Sequence, residues 1–268
     1  MDLTNTIFVS DFDGTLLTTD KRLTQGNIDA INEYQHLGGK FCVATGRPIQ
    51  TVGTYIDQVH YDLPMILCNG AMIYDPYEKE IIWAKYLPNT AKDIVREIYD
   101  RFPTVAPEVY TVSGQHYLRM NDTERWHQSL LGFEFIKCES VDDINEPICK
   151  LLFADEDAVI DELCEYVKKF NSLGLRFVRS LSKFLEVLPA DVSKGSAVEV
   201  LKDLYGLKSC KVFTAGDYDN DIEMLKASDI SFCPRDSQEC VLKTADVVLK
   251  ATCDEDAIKE AIDYLISQ

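Results

Sequence analysis

Two aspartates separated by a single residue, Asp11 and Asp13, are the first candidates for chemistry, because they directly follow the apolar run Thr6–Ser10. Such a run predicts a buried parallel strand, and alternate residues at its end point the same way. Paired carboxylates can attack an electrophile, exchange a proton or hold a cation. An isolated Asp-Gly pair is usually only a turn, so the chemical interpretation depends on the rest of the chain.

Three further segments place polar side chains after predicted strands or at a helix start. Thr45–Pro48 (TGRP) follows the predicted strand Lys40–Ala44, and its hydroxyl and amide groups can contact a phosphate. Lys194 stands at the start of a predicted helix and can pair with phosphate or with the aspartates. Gly216–Asp221 (GDYDND) follows the predicted strand Lys211–Thr214 and offers the oxygen ligands that Mg²⁺ prefers. Taken alone, Thr45–Pro48 could be a helix cap, Lys194 a surface lysine and Gly216–Asp221 an acidic loop.

The elements that must position these residues alternate between strand and helix over residues 1–82 and 186–268. This alternation predicts an α/β fold with a doubly wound, mostly parallel sheet, in which ligands bind beyond the carboxyl ends of the strands. Residues 83–185 instead mix paired strands with helices, which predicts an inserted α+β domain. Locally, Thr24 is predicted to cap a helix, Pro48 to begin one and Gly206 to end one.

The composition restricts the partners and the compartment. The 268 residues include 45 acidic and 27 basic side chains, for a net charge of −18, which disfavours binding to nucleic acid or to anionic membranes. A small anionic substrate remains compatible, because a divalent cation can invert the local charge. The nine cysteines form no CxxC pair, and the N-terminus lacks a signal-peptide pattern, so we expect a cytoplasmic protein with reduced thiols.

With these motifs in order, the chain resembles the haloacid dehalogenase (HAD) superfamily of phosphatases, and most of all its Cof-type branch. The resemblance covers essentially the whole chain. It implies a Rossmann-like HAD core with a large cap inserted between the second and third motifs. The segments that carry it are DFDGTL at Asp11–Leu16, TGR at Thr45–Arg47, CNGA at Cys68–Ala71, SKG at Ser193–Gly195 and GDYDND at Gly216–Asp221.

The resemblance also implies a role for each site residue. Asp11 is the expected nucleophile, which forms an aspartyl-phosphate, and Asp13 is the expected general acid and then base. Because Asp13 must carry a proton in the first step, we expect its pKa to be raised. The expected phosphate contacts are Thr45, Gly46, Lys194 and Asn220. The expected Mg²⁺ ligands are Asp11, Asp13 through its backbone carbonyl, Asp217 and Asp221. The expected substrate contacts are Arg47, Asn69 and Gly70.

The expected activity is Mg²⁺-dependent hydrolysis of a small phosphate monoester, such as a sugar phosphate or a similar cytosolic metabolite. Two alternatives stay open: phosphoryl transfer of the phosphomutase type, and a non-enzymatic phosphoacceptor domain. One departure from the family pattern is Cys233–Ser237 (CPRDS), which stands where relatives usually carry an Asn-Ala pair. There Arg235 could contact a substrate anion, although a helix-start loop is the simpler interpretation. The physiological substrate and the oligomeric state are left open by the sequence.

Overall fold

The computed structural model describes residues 3–170 and 173–268. Within these residues the strands, in chain order, are β1 (Thr6–Ser10), β2 (Lys40–Val43), β3 (Met65–Leu67), β4 (Met72–Asp75), β5 (Glu80–Ala84), β6 (Ala106–Tyr110), β7 (Gln115–Tyr117), β8 (Ile136–Lys137), β9 (Lys150–Ala154), β10 (Leu175–Leu181), β11 (Phe184–Pro189), β12 (Lys211–Ala215), β13 (Ile230–Cys233) and β14 (Val247–Val248). The helices are α1 (Gln25–His36), α2 (Thr90–Arg101), α3 (Asp122–Leu131), α4 (Asp157–Val167), α5 (Lys194–Tyr205), α6 (Ile222–Lys226), α7 (Glu239–Leu242) and α8 (Ala257–Ile266).

The chain divides into two compact units. The core unit comprises the chain up to Arg47, Val52–Trp83 and the chain from Ser193 onward. The inserted unit comprises Pro48–Thr51 and Ala84–Val192.

The core unit is built on a five-stranded parallel sheet in the order β14-β13-β12-β1-β2. The central strand β1 is buried along its whole length, as expected for an apolar parallel strand covered on both faces. Its Phe8 stacks against Phe41 of β2 and Phe232 of β13. The short sheet β3-β4-β5, in which β3 and β4 pair in antiparallel fashion, also lies in this unit as far as Trp83. The α/β fold with a mostly parallel sheet is therefore confirmed.

Local sequence signals fix several helix ends in the core unit. The Thr24 side chain caps α1 by accepting a hydrogen bond from the Asn27 amide, as predicted. Ser193 caps α5 in a reciprocal capping box with Ser196. Gly206 ends α5 in the left-handed region, with φ of 68°, where glycine carries no Cβ penalty. The box at Ser193 sets the position of the next residue, Lys194.

The predicted helix beginning at Pro48 is wrong. The chain instead forms two short 3₁₀ turns, Ile49–Thr51 and Gly53–Tyr55, closed by hydrogen bonds between residues three apart. The sequence explains the difference: β-branched Thr51 and Val52 followed by Gly53 are poor helix formers. Proline is compatible with a helix start but does not by itself propagate one.

The inserted unit is an α+β domain with a six-stranded sheet in the order β10-β11-β9-β6-β7-β8. All its strand pairs are antiparallel except β7 with β8, which pair in parallel. Helices α2 and α4 cover one face through a core that includes Ile94, Ile98, Ile160 and Leu163. Along the described stretches of chain, no helix combines the length and apolar character needed to cross a membrane.

Helix α3 of the inserted unit was not predicted from the sequence. Asn121 caps it by accepting a hydrogen bond from the Glu124 amide, and Gly132 ends it in the left-handed region. Both signals are readable in the sequence. The intervening residues are polar at many positions, and α3 packs against the sheet partly through charged side chains, so no apolar stripe marks it.

Candidate active site

The side chain of Lys194 joins two of the four motif segments. Its Nζ donates a hydrogen bond to Asp11 Oδ1 at 2.5 Å and another to Asp221 Oδ1 at 2.6 Å. Asp11 extends from the end of β1, and Lys194 is the first residue of α5. Both side chains are almost fully buried, so these ion pairs are poorly screened by water. Burial alone would lower the pKa of Lys194, but the two carboxylates outweigh it and raise that pKa.

Asp221 has both carboxylate oxygens occupied. Oδ1 accepts from Lys194, and Oδ2 accepts from the backbone amides of Asp217 and Tyr218, both at 3.1 Å. Asp217 in turn accepts a hydrogen bond from the Thr15 hydroxyl at 2.9 Å. Asp221 therefore organises the loop after β12 around Lys194.

Asp11, Asp217 and Asp221 form a compact group of carboxylates in which one oxygen of each lies within 4.8 Å of the others. Burial first, and then the charge of Asp221, raise the pKa of Asp11 to about 7, although Lys194 opposes the shift. Burial, followed by the charges of Asp11 and Asp221, raises the pKa of Asp217. Three carboxylates facing one ammonium group favour an added cation, and an all-oxygen donor set suits Mg²⁺. These residues therefore fit the predicted ion.

Asp13 lies in a different environment from the one predicted. Arg47 Nε and Nη2 each donate to the Asp13 carboxylate at 2.7 Å, and Lys21 Nζ contacts it at 2.7 Å. Burial on its own would raise the pKa of Asp13, but the hydrogen bonds and charge of Arg47, with those of Lys21, lower it well below the usual range. The prediction that the pKa of Asp13 is raised is therefore wrong, because the sequence did not reveal that Arg47 and Lys21 pair with this carboxylate.

The TGR and CNGA segments are held together by backbone hydrogen bonds. The Asn69 amide donates to Thr45 O at 2.9 Å, and the Cys68 amide donates to Arg47 O at 3.0 Å. The Thr45 hydroxyl accepts from the Arg47 amide at 3.1 Å. Asn220 Nδ2 donates to Asn69 Oδ1 at 2.9 Å, which links the loop after β12 to the same group.

Gly70 has a structural reason to be glycine. Its φ is 98°, and a Cβ placed there would lie 2.2 Å from the carbonyl oxygen of Ser193. The close approach packs the CNGA segment against the start of α5. The space at Gly46 is less restricted, because an added Cβ would lie 3.1 Å from the side-chain oxygen of Asn69.

Arg235, in the segment that departs from the family pattern, is engaged at the surface of the core unit. It donates to Lys250 O at 2.7 Å and pairs with Glu255 at 2.9 Å. The Ser237 amide and hydroxyl both bond to Pro234 O, which makes the segment a tight turn before α7. This arrangement agrees with the helix-start interpretation.

Two residues at the site were missed by the sequence interpretation. Thr15 lies inside the DFDGTL motif, so its position next to Asp13 and Gly14 was a usable signal. Lys21 lies in an Asp-Lys-Arg turn and adopts a left-handed φ of 62°. No local pattern distinguishes it from an ordinary surface lysine.

Comparison with known proteins agrees with this geometry. The haloacid dehalogenase-like hydrolase family matches residues 8–262. The Bacillus subtilis 5-amino-6-(5-phospho-D-ribitylamino)uracil phosphatase YitU is 22% identical over 223 residues, 81% of each chain. The pyridoxal phosphate phosphatase YbhA of Escherichia coli is 24% identical, over 92% of this chain and 94% of that one. The solved structure of a HAD subclass IIB sugar phosphatase superposes with a TM-score of 0.85, at 20% identity over 97% and 98% of the two chains.

The family match spans nearly the whole chain. Asp11 and Asp221, which follow the neighbouring parallel strands β1 and β12, meet at Lys194. The relatives named above act on small phosphorylated compounds. The chain therefore belongs to the haloacid dehalogenase-like hydrolases and is a hydrolase that acts on phosphate monoesters.

Proposed function

We propose that this phosphatase depends on Mg²⁺ and hydrolyses its substrate through an aspartyl-phosphate formed on Asp11. The observation that carries the proposal is the environment of the Asp11 carboxylate. One oxygen of Asp11 accepts a hydrogen bond from Lys194 at 2.5 Å. One carboxylate oxygen of Asp11 also lies within 4.8 Å of a carboxylate oxygen of Asp217 and of Asp221. A nucleophilic carboxylate needs orientation and compensation of its charge against an anionic phosphate. Lys194 supplies the orientation and one positive charge, and a cation held by Asp11 and Asp217 would supply the rest.

Asp11, the backbone carbonyl of Asp13 and Asp217 would hold the ion. Because both oxygens of Asp221 already accept hydrogen bonds, this residue would support the ion through water or through the loop it orders. When bound, Mg²⁺ neutralises carboxylate charge and polarises the phosphoryl group. Thr45, Gly46, Lys194 and Asn220 would hold the phosphate oxygens.

The chemistry proceeds in two balanced steps. In the first, a carboxylate oxygen of Asp11 bonds to phosphorus, the bond to the leaving oxygen breaks, and Asp13 gives its proton to that oxygen. In the second, water attacks phosphorus, Asp13 takes the proton, and the Asp11–phosphorus bond breaks to release phosphate. The ion pairs with Arg47 and Lys21 favour the base form of Asp13. The first step requires a protonated Asp13, so Arg47 and Lys21 must first release its carboxylate. An incoming phosphate offers these two cations an alternative partner.

The substrate class that we propose is a phosphorylated sugar or a similar cytosolic metabolite. Relatives act on a ribityl phosphate and on pyridoxal phosphate, and a fold neighbour is a sugar phosphatase, so the leaving group varies while the monoester is constant. Arg47, Asn69 and Gly70 are the proposed substrate contacts in the core. We also propose that the inserted unit acts as a cap that selects the leaving group.

The test is phosphate release from a panel of sugar phosphates, nucleotides and pyridoxal phosphate, with Mg²⁺ or with a chelator, for the wild type and Asp11→Asn. We expect release from a few compounds, which requires Mg²⁺ and disappears in the variant. Asp29→Asn is the matched control, since Asp29 is exposed on α1 and bonds to Gln25.

Two results would contradict the proposal. Full activity in the presence of chelator would remove the requirement for the ion. Residual turnover by Asp11→Asn within about tenfold of the wild type would remove Asp11 as the nucleophile, because loss of a covalent nucleophile typically lowers the rate by several orders of magnitude.

A further inference from the structure

The inserted unit contains a second buried group of ligand-type side chains, formed by Glu108, Glu124 and His127 and here called the Glu108 cluster. Glu108 lies on β6, and the other two lie one turn apart on α3. The glutamates are fully buried, and His127 is 7% exposed. Charged side chains are almost never buried to this extent unless they are paired or bind a metal. None of these residues belongs to the phosphatase motifs.

The three side chains converge on one point. One carboxylate oxygen of each glutamate and one ring nitrogen of His127 all lie within 4.8 Å of one another. Metal–ligand bonds to nitrogen and oxygen are about 2.0–2.2 Å, so two ligands of one Zn²⁺ ion lie at most roughly 4.4 Å apart. The three side chains therefore converge closely enough to share one ion after a side-chain adjustment.

The hydrogen bonds around the cluster orient the carboxylates but leave one oxygen without a partner. Tyr110 donates its hydroxyl to Glu108 Oε2 at 2.6 Å, and Gln128 donates to Glu124 Oε1 at 2.6 Å. His127 Nδ1 lies 2.7 Å from Glu108 Oε1. Glu124 Oε2 is buried and accepts no hydrogen bond from a donor group among the residues that the structure describes. The neighbouring carboxyl group of Glu108 can pair with Glu124 only through a shared proton or a shared cation. A buried acceptor in this state is destabilising unless a proton or a cation completes it.

The charges near the cluster also favour a cation. Lys150, on the neighbouring strand β9, pairs with Glu186 at 3.1 Å and lies 4.3 Å from the Tyr110 ring. Three ionised glutamates with one lysine would leave two excess negative charges in a buried site, which is the charge that one divalent cation supplies.

We propose that Glu108, Glu124 and His127 bind one divalent transition-metal ion and that this ion ties helix α3 to the sheet of the inserted unit. One imidazole and two carboxylates form a ligand set that suits Zn²⁺ or Mn²⁺, whereas Mg²⁺ prefers oxygen ligands alone. Tyr110 and Gln128 serve as outer partners that hold the glutamates in place, as is usual around protein metal sites. The site is separate from the catalytic carboxylates in ligand chemistry and in sequence.

The test measures zinc content in full-length protein, using Asp217→Asn as the background so that the catalytic carboxylates bind less metal. The protein is loaded with Zn²⁺ in the presence of excess Mg²⁺, desalted and analysed by mass spectrometry for zinc per chain. We expect about one ion per chain in the background protein and almost none after adding Glu124→Gln or His127→Gln. Glu146→Gln is the control, because Glu146 is an exposed hydrogen-bonded glutamate of the same unit.

Thermal unfolding gives a second readout. At a hundredfold excess of Zn²⁺ over its Kd, the melting temperature of the background protein should rise by about 5 °C or more. It should not change in Glu124→Gln, which retains the shape of the side chain and is expected to fold without metal. His127→Gln provides an independent variant if the first one folds poorly.

Two results would overturn the proposal. Equal zinc content with and without Glu124→Gln would show that the ion binds elsewhere, for example at cysteines. No bound zinc and no change in melting temperature in the background protein would show that a proton shared between Glu108 and Glu124 completes the cluster instead. Neither result bears on phosphatase turnover, so the proposed function stands or falls separately.

Discussion

Arg47 donates two parallel hydrogen bonds to Asp13, from Nε to Oδ2 and from Nη2 to Oδ1, each 2.7 Å long. The guanidinium also lies 5.3 Å from the ring centres of Phe12 and Tyr55, which restrict its position. A bidentate pair of this kind is among the strongest protein hydrogen-bond arrangements. The protonation state of the proposed acid and base is therefore set by a residue thirty-four positions away in the chain.

We first predict that Arg47→Gln raises the pKa of Asp13, because the charged partner is lost while burial, which raises the pKa, remains. The measurement is a carboxyl ¹³C titration by NMR, with Asp13→Asn to assign the signal. Lys21→Gln should give a smaller rise, because Lys21 makes a single contact. An unchanged Asp13 titration in Arg47→Gln would show that the ion pair does not control this group.

The second prediction concerns the stability of metal-free protein. Burial and the charge of Asp221 raise the pKa of Asp11 from 3.8 to about 7, so the folded state favours the protonated form. Its contribution to stability is complete below about pH 4 and is lost as the pH rises through about 7. Asp11→Asn removes this charge and should raise the free energy of unfolding at neutral pH by roughly 2–4 kcal/mol.

Urea unfolding in the presence of chelator, from about pH 4 to about pH 8, tests this prediction. The wild type should lose stability over this range more steeply than Asp11→Asn. Asp29→Asn serves again as the exposed control and should follow the wild type. If Asp11→Asn were less stable than the wild type at neutral pH, the result would contradict the account of Asp11 as a carboxylate destabilised by burial and by the charge of Asp221.

The third prediction links Mg²⁺ to pH. The ion binds ionised carboxylates, and the pKa values of Asp11 and Asp217 are both raised, so protons compete with the metal at low pH. The rise in melting temperature on adding Mg²⁺ should be small near about pH 5 and larger near about pH 8. It should be largely lost in Asp217→Asn. An equal rise at both pH values, or a rise unaffected by Asp217→Asn, would place the ion elsewhere.

The fourth prediction concerns Gly70. An added Cβ would meet the Ser193 carbonyl at 2.2 Å in a left-handed backbone conformation, so Gly70→Ala must displace the start of α5. We expect a loss of about 2–4 kcal/mol of unfolding free energy and reduced turnover, since Lys194 moves with that helix. Gly53→Ala is the matched control because no atom lies within 4 Å of its added Cβ. Equal stability of the two variants would contradict the packing argument.

The sequence predicted well those features that depend on local signals and on strand order. Parallel strands were readable from apolar runs such as Thr6–Ser10, and the end of α5 from the Gly206 stop. The approach of Lys194 to Asp11 follows from the doubly wound order, because both residues lie near the carboxyl edge of one sheet.

Features that depend on tertiary contacts were not predictable in the same way. The partnership of Lys21 with Asp13 needs the turn after β1 to fold back on the motif, and no spacing rule indicates that. The helix predicted after Pro48 does not form, because proline is compatible with a helix start but the residues that follow it are poor helix formers. Helix α3 was missed because charged residues of the Glu108 cluster occupy its inner face.

The most direct test of the central claim is to trap the phosphorylated enzyme. Wild-type protein is mixed with an active substrate and Mg²⁺, quenched in acid within one turnover, and digested for peptide mass spectrometry. The account predicts one phosphoryl group on the peptide that contains Asp11, located on Asp11 by fragmentation and removed by hydroxylamine. Steady phosphate release with no phosphoryl group on Asp11 at any quench time, or with the group on another residue, would contradict the account.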